Sequence, residues 1–267
     1  MLLLTKTIVE QIKQDQILQV QELARQPKLI VLVANQDPVI ESYLKIKAGY
    51  GQEIGVDVKV ERVSFDQLEQ KIQYYNQIDC DGIVVQLPID FVNNPDQTDY
   101  LLSLVSPAKD IDGLSGGSKF VPPTVRAINQ LLEFSEIILG SRIHSVTIVG
   151  QGRLVGAPLA RFLENKGVGL RIVSHHDNLD QVVKQSSVLV SAVGNPELIG
   201  SRLIQPGTIV IDAGTSDDQG AIYGDVDSDA LDRDDIYITP PKGGVGPLTV
   251  AMLFDNLLKS VEAAESA

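Results

Sequence analysis

Cysteine is almost absent: Cys80 is the only one in 267 residues. That excludes an internal disulfide and a cysteine-rich metal site. Basic residues are outnumbered, 22 Lys and Arg against 35 Asp and Glu, for a formal charge of −13. A surface of that sign repels nucleic acid and anionic lipid, so neither is expected as a partner. It still admits an anionic cofactor, because backbone N–H groups and a few local charges can hold phosphates. Long apolar runs are missing too. Leu2, Leu3 and Leu4 are too few for a signal-peptide core, and no later stretch approaches a membrane span, so the cytoplasm is the expected compartment. No repeat or low-complexity tract points to a solenoid or to disorder. No His, Cys or carboxylate cluster has ligand spacing, so no metal is expected.

What remains is an ordinary globular composition, 43% hydrophobic and 21% charged. The length suits one large α/β unit or two modest domains. Short apolar runs alternate with helical patterns, as in βαβ units around a mainly parallel sheet. Strands are predicted over residues 29–33, 56–63 and 82–87. Helices are predicted around 40–50 and over 64–76, the second opened by Ser64 with Gln67 three residues on, a capping-box spacing. A loop rich in Ser, Asp, Pro and Gly over 106–119 reads as a boundary between lobes. Beyond it, a connecting helix is predicted over 122–136 and strands over 145–149, 170–173, 188–190, 208–211 and 237–238. A last helix from about Pro247 carries Val250, Leu253, Phe254, Leu257, Leu258 and Val261 on one face, a stripe that reads as core contact.

The strand at 145–149 runs into Gly150-Gln151-Gly152-Arg153-Leu154-Val155-Gly156, with a helical pattern from Ala157. Glycines between a strand and a helix allow a tight turn and bring backbone close to a pyrophosphate at the helix N-terminus. The next strand ends at Ser174-His175-His176-Asp177, the usual place for ribose discrimination. An acid there favours NAD and a base favours NADP; Asp177 stands against Arg153 and the two histidines, so both remain open.

Tyr43 and Lys47 are four apart on a predicted helix and share a face. A lysine there can move a proton if its surroundings lower its pKa. Gln86 sits at the carboxyl end of a predicted strand, where ligands of open α/β sheets gather. Asp110 and Asp112 lie in the boundary loop. Each of these alone is compatible with an ordinary structural role.

Together the segments resemble the bifunctional methylenetetrahydrofolate dehydrogenase/cyclohydrolase family, collinearly over nearly the whole chain. The matching strings are Tyr43-Leu-Lys-Ile-Lys47, Asp81-Gly-Ile-Val-Val-Gln-Leu-Pro88, Pro107-Ala-Lys-Asp-Ile-Asp-Gly113, the glycine loop ending at Pro158, Pro206 to Gly214, and Gly224-Asp-Val-Asp227. The most specific runs from Ile238 through Pro-Pro-Lys-Gly-Gly-Val-Gly-Pro to Leu253. The resemblance implies an N-terminal α/β catalytic lobe over 1–118, with the final helix 247–267 returning to it. It implies a Rossmann-type NAD(P)-binding lobe over 119–246, a cleft between the two, and a homodimer.

Roles follow from the same resemblance. Lys47 corresponds to the lysine that assists hydrolysis of the methenyl bridge, and Gln86 to the glutamine that hydrogen-bonds it. Tyr43 is expected to stack on the folate's aminobenzoyl ring. Asp112 is expected to accept from the pterin's donor edge as an ionised carboxylate. Gly244 and Pro247 are expected to contact substrate. Gly150, Gln151, Gly152, Arg153, Gly156, His175, His176, Gly214 and Thr215 are expected to hold the dinucleotide. The implied reactions are oxidation of 5,10-methylenetetrahydrofolate with NADP or NAD and hydrolysis of the methenyl product to 10-formyltetrahydrofolate.

Departures bear mainly on the cofactor. The resemblance implies NADP, but the family's Gly-Arg-Ser, whose arginine is associated with the 2′-phosphate of NADP, is Gly150-Gln151-Gly152 here, so either Arg153 or His176 compensates or the enzyme prefers NAD. The family's proline before the glycine pair is Lys242, its proline-cysteine-threonine-proline becomes Pro122-Pro-Thr-Val125, and its Gly-Asp-Asp-Pro becomes Asn35-Gln-Asp-Pro38. Three alternatives stay in view: a shikimate dehydrogenase-like oxidoreductase, a non-redox folate-binding paralogue, and a cyclohydrolase alone.

Overall fold

The computed structural model describes residues 1–265 apart from Gln36, Phe91, Asn93, His175, Thr215, Gln219 and Gly220. Its contacts divide the chain into two compact units, Glu10–Pro123 with Val250–Ala267, and Met1–Val9 with Thr124–Thr249.

In the first unit, helix α1 (Lys6–Glu22), which belongs to it from Glu10 on, precedes β1 (Lys28–Val33), α2 (Pro38–Ile54), β2 (Asp57–Arg62), α3 (Phe65–Gln77), β3 (Gly82–Gln86) and α4 (Pro95–Ser103). The strands form a three-stranded parallel sheet in the order β2-β1-β3. The unbroken run Leu29-Ile-Val-Leu-Val33 is buried along its length, as a central parallel strand covered on both faces requires. On β2, Asp57, Lys59 and Arg62 are exposed, and charge suits an edge. Leu68, Ile72 and Tyr75 of α3, at helical spacing, pack with Leu32, Ile83 and Val85 into one core cluster. Ser64 does precede α3 in an extended conformation, but its side chain makes no capping hydrogen bond; Gln67 N donates instead to the Ser64 carbonyl at 3.0 Å.

The loop expected to separate the lobes belongs wholly to this first unit. Asp110 Oδ1 and Oδ2 accept from Gly113 N at 3.0 Å and Ser115 N at 2.8 Å, and Ser118 Oγ donates to the Asp110 carbonyl at 2.7 Å. Those bonds make it a folded turn, and the chain changes unit only after Pro123.

In the second unit, α5 (Pro123–Leu139) leads to β4 (Ser145–Val149), α6 (Gly156–Asn165), β5 (Gly169–Val173), α7 (Leu179–Lys184), β6 (Val188–Ser191) and β7 (Ile209–Asp212). An antiparallel pair, β8 (Ser216–Asp218) and β9 (Ala221–Tyr223), precedes β10 (Tyr237–Ile238) and α8 (Val245–Glu265). The main sheet is parallel with order β10-β7-β6-β4-β5. Its first strand in sequence, β4, is flanked by β5 on one side and β6 on the other. Successive crossovers therefore diverge at β4 and open a crevice at its carboxyl end, where ligands of such sheets bind.

Residues 1–9, expected with the catalytic lobe, group with this second unit. Leu3 N donates to the Ile238 carbonyl at 2.7 Å, and Ile238 N to the Met1 carbonyl at 3.0 Å, so the chain start pairs with β10. From Val250 on, α8 groups with the first unit. There Phe254 stacks on Tyr50 with ring centroids 5.2 Å apart, and Leu257, Leu258 and Val261 are fully buried. Among the described residues, no helix is long and apolar enough to cross a membrane.

Candidate active site

Helix α2 sets Tyr43 and Lys47 one turn apart, and strand β3 delivers Gln86. The Lys47 ammonium nitrogen donates to Gln86 Oε1 at 2.7 Å. Gln86 ends β3 opposite Val33 of β1, and its Nε2 donates to the Leu87 carbonyl at 2.7 Å, so both ends of its amide are held. Lys47 is half-buried. Burial pushes its pKa down, while the negative charge of Asp112 pulls it back up. Tyr43 lies at the outer end of this face, 39% exposed, which leaves ring surface for a ligand.

Asp112 is held by the turn around it. Ile111 is fully buried, and Gly113 has φ +71°, with Phe120 O only 2.7 Å from where a Cβ would stand. On α8, Asn256 Nδ2 donates to the carbonyls of Ile111 at 2.8 Å and Val121 at 3.0 Å, clamping the loop on both sides of Asp112. The apolar stripe of that helix gave no reason to single out Asn256; its signal is an amide between core positions, 2% exposed. Asp112 was expected to be a plain ionised acceptor. Burial raises its pKa, and the nearby Asp110 raises it further, against the pull of Lys47. Lys47 and Asp112 are thus each pushed toward neutrality by burial and toward charge by the other.

At the end of β4, Gly150 has φ +101°, and a Cβ there would lie 2.7 Å from the Ala192 carbonyl oxygen. A Cβ on Gly156, the first residue of α6, would lie 2.0 Å from the Gly150 carbonyl oxygen. No side chain fits at either place, so the turn closes tightly on the start of α6. Gly152 differs: its nearest neighbour would be 3.9 Å away, so the backbone does not require a glycine there. Gln151, Gly152 and Arg153 are exposed at the turn. A glycine turn at the switch point, leading straight into a helix N-terminus, fits a dinucleotide's pyrophosphate.

Beyond β5, Asp177 Oδ2 accepts from Ser174 N and Ser174 Oγ, both at 2.7 Å. These bonds hold its pKa below the usual carboxylate value. His176 is exposed, its backbone N–H donating to Ser174 Oγ at 3.3 Å. His175 and Thr215 lie outside the described residues. Gly214 is buried, and a Cβ on it would strike the Asp225 carboxylate at 2.1 Å.

Gly244 and Pro247 belong to the second unit. A Cβ on Gly244 would lie 2.3 Å from the Pro240 carbonyl oxygen, and its own carbonyl accepts from Thr5 Oγ1 at 2.9 Å. Pro247 is exposed in the first turn of α8, where a missing N–H is tolerated. Among the described residues, no group of three or more His, Cys, Asp or Glu could hold a metal ion.

Two family profiles match the chain: the tetrahydrofolate dehydrogenase/cyclohydrolase catalytic domain over residues 3–112, and the NAD(P)-binding domain of the same family over 122–265. The bifunctional protein FolD of Desulforamulus reducens is 34% identical over 272 residues, covering 95% of this chain and 92% of its own. The crystal structure of the FolD dehydrogenase/cyclohydrolase from Campylobacter jejuni superimposes with a TM-score of 0.87 at 30% identity, covering 99% of both chains. A Trypanosoma brucei FolD, solved with NADP and an inhibitor, superimposes with a TM-score of 0.88 at 27% identity over 100% of this chain and 99% of its own.

Proposed function

The chain belongs to the tetrahydrofolate dehydrogenase/cyclohydrolase family, and from that premise we propose which of its residues carry each step and which nucleotide it prefers. It oxidises 5,10-methylenetetrahydrofolate to the methenyl form with a nicotinamide dinucleotide, and hydrolyses the methenyl form to 10-formyltetrahydrofolate. The shikimate-type alternative loses its basis with that membership.

One observation carries the assignment of hydrolysis: the Lys47–Gln86 hydrogen bond in surroundings that lower the lysine's pKa. The methenyl carbon is electron-poor, since its positive charge is shared with two nitrogens. Water attacks that carbon and must shed a proton. A neutral Lys47 accepts it, and the resulting ammonium returns a proton to the folate nitrogen as the carbon–nitrogen bond breaks. Gln86 Oε1 keeps the lysine nitrogen aimed through both protonation states. Asp112 stabilises the ammonium once it forms and anchors the pterin. Tyr43 offers its exposed ring to the aminobenzoyl group.

For oxidation, the bound dinucleotide supplies the hydride acceptor. This chain's part is positioning: Gly150 and Gly156 would let the turn approach the pyrophosphate, and the N-terminus of α6 would favour its charge. For the nucleotide we propose NAD. Asp177 stands where the second strand of a Rossmann unit reads the ribose, about 20 residues past the glycine turn. Its anchored, ionised carboxylate suits a 2′-hydroxyl donor and repels a 2′-phosphate. Gln151 and Gly152 supply no cation of their own. A homodimer completes the reading, on the family resemblance, and the cytoplasm stays the expected compartment.

The test is an assay of methylenetetrahydrofolate with each nucleotide, following reduced nicotinamide and formyl product together. NAD should give the higher kcat/KM; a preference for NADP would refute the assignment of Asp177. Lys47→Met should abolish methenyl hydrolysis, and undiminished turnover would remove the lysine from the mechanism.

A further inference from the structure

Two carboxylates lie deep in the second unit, and neither step above uses them. Asp225 is fully buried and Asp212 is 5% exposed. Asp225 Oδ2 accepts from Ser191 Oγ at 2.6 Å and Val193 N at 2.8 Å, and its Oδ1 accepts from Asn195 N at 2.8 Å. Those donors span the turn that leaves β6. Asp212, the last residue of β7, accepts at Oδ1 from Gly214 N at 3.1 Å and Asp225 N at 3.2 Å, and at Oδ2 from Val226 N at 2.9 Å. The acids lock together through two glycines. A Cβ on Gly214 would strike the Asp225 carboxylate at 2.1 Å, and a Cβ on Gly224 would strike Asp212 Oδ2 at the same 2.1 Å.

The turn that Asp225 holds supports the glycine cradle. The vacant Cβ position of Gly150 lies 2.7 Å from Ala192 O and 3.1 Å from Val193 Cγ2. The turn after β4 therefore rests on residues 192 and 193. Val193 is 44% exposed, a large apolar side chain presented beside the cradle. Burying an acid is costly unless converging donors replace its water, and here they converge from the strand-end turns where the nucleotide binds.

We propose that Asp225, braced by Asp212, is a positioning residue for the dinucleotide, fixing the turn over 192–195 so that Val193 and the Gly150 backbone form one contact surface. The proposal rests on reading this unit as dinucleotide-binding. A carboxylate is needed because three donors point at it. An asparagine has one acceptor oxygen and turns an N–H toward at least one backbone N–H, of Val193 or of Asn195. Burial, and then the charge of Asp225, push the Asp212 carboxyl up to about 7.

The test is Asp225→Asn, with steady-state kinetics of both reactions on the same preparation. The KM for the nucleotide should rise about tenfold or more, the cost of one buried donor left facing another. Hydrolysis of methenyltetrahydrofolate, for which Tyr43, Lys47, Gln86 and Asp112 all lie in the other unit, should keep its kcat and KM and so reports a folded protein. An unchanged nucleotide KM with hydrolysis intact overturns the proposal. If Asp225→Asn loses both activities, Ser191→Ala decides. It removes one bond to Asp225 Oδ2 and should raise the nucleotide KM several-fold relative to hydrolysis; an unchanged ratio overturns the proposal. A wild-type enzyme that hydrolyses but reduces neither NAD nor NADP would sink the dinucleotide reading itself, and this proposal with it. That failure is visible before any variant is made.

Discussion

Replacing Gln86 with leucine should carry the hydrolytic reaction toward acid as well as slow it. The amide oxygen accepts from the Lys47 nitrogen at 2.7 Å, and it binds an ammonium more strongly than an amine. A hydrogen bond to a charged group is worth about 1.5–3 kcal/mol. At about 1.4 kcal/mol per pH unit, losing it should lower the lysine's pKa by about 1–2 pH units. That shift adds to the one burial already causes, because leucine keeps the site dry. The working form in hydrolysis is the neutral amine, so the acid limb of kcat/KM, which reports the free enzyme's base, moves to lower pH. The maximum falls because the lysine loses its aim, by about tenfold as part of the 10²–10⁴ that a positioned base contributes. The assay is loss of methenyl absorbance over a pH series, corrected for the uncatalysed rate. A limb that stays put, or moves to higher pH, would show that Gln86 does not act on the working base and that the base is not Lys47.

Other expectations follow from single contacts. Gly156→Ala should remove nucleotide binding and spare hydrolysis, since its Cβ would meet a carbonyl oxygen at 2.0 Å; Gly152→Ala, with 3.9 Å to its nearest neighbour, should leave the turn standing. Equal effects of the two on nucleotide KM would contradict that geometry. Asn256→Leu should cost about 1–3 kcal/mol, because the carbonyls of Ile111 and Val121 lose their donor, and it should raise the KM for folate by loosening the loop that carries Asp112. Urea unfolding and steady-state kinetics check it. Asp212 makes a pH-dependent contribution to stability. Its pKa, raised from 3.8 to about 7, means the folded state holds the proton more tightly. That contribution is complete below about pH 4 and is lost as pH climbs through 7, amounting to about 4 kcal/mol. In Asp212→Asn this part of the decline should vanish; an unchanged difference between unfolding at low and at slightly alkaline pH would refute it.

The strands were legible because a parallel sheet buried on both faces demands compact β-branched runs, and 29–33, 145–149 and 188–190 are such runs between turn residues. The structure extends two of these by a single residue. Helix α1 was not legible. Glutamines dilute its apolar positions, and it is held partly by Gln16, which donates to the Ala251 carbonyl at 2.9 Å and accepts from Tyr50 OH at 2.8 Å. Polar burial of that kind leaves no periodic trace. Helix α4 did carry a signal, Asn94 before Pro95, and Asn94 caps it by accepting from Asp96 N at 2.9 Å. At the site, spacing could put Tyr43 and Lys47 on one face and Gln86 at a strand end. Bringing Lys47 against Gln86, 39 residues away, takes the packing of α2 on the sheet. Asn256, Asp212 and Asp225 act through buried backbone partners that no local pattern encodes.

The altered dinucleotide turn shows why motif residues need sorting by what the backbone asks of them. Gly150 and Gly156 are steric requirements, whereas residue 152 has room for a side chain. The change from the family's Gly-Arg-Ser to Gly150-Gln151-Gly152 therefore leaves the shape of the turn alone and alters only what it offers a ligand. Reversing it should change nucleotide choice without touching the fold. In Gln151→Arg with Gly152→Ser, a guanidinium and a hydroxyl become available to a 2′-phosphate, and one charge-assisted contact is worth about 1.5–3 kcal/mol. The ratio of kcat/KM for NADP over NAD should rise about tenfold or more, with hydrolysis unchanged. If both activities persist and the ratio does not move, discrimination rests instead with the residues after β5 and with Arg153, and the substitutions at 151 and 152 are neutral to it.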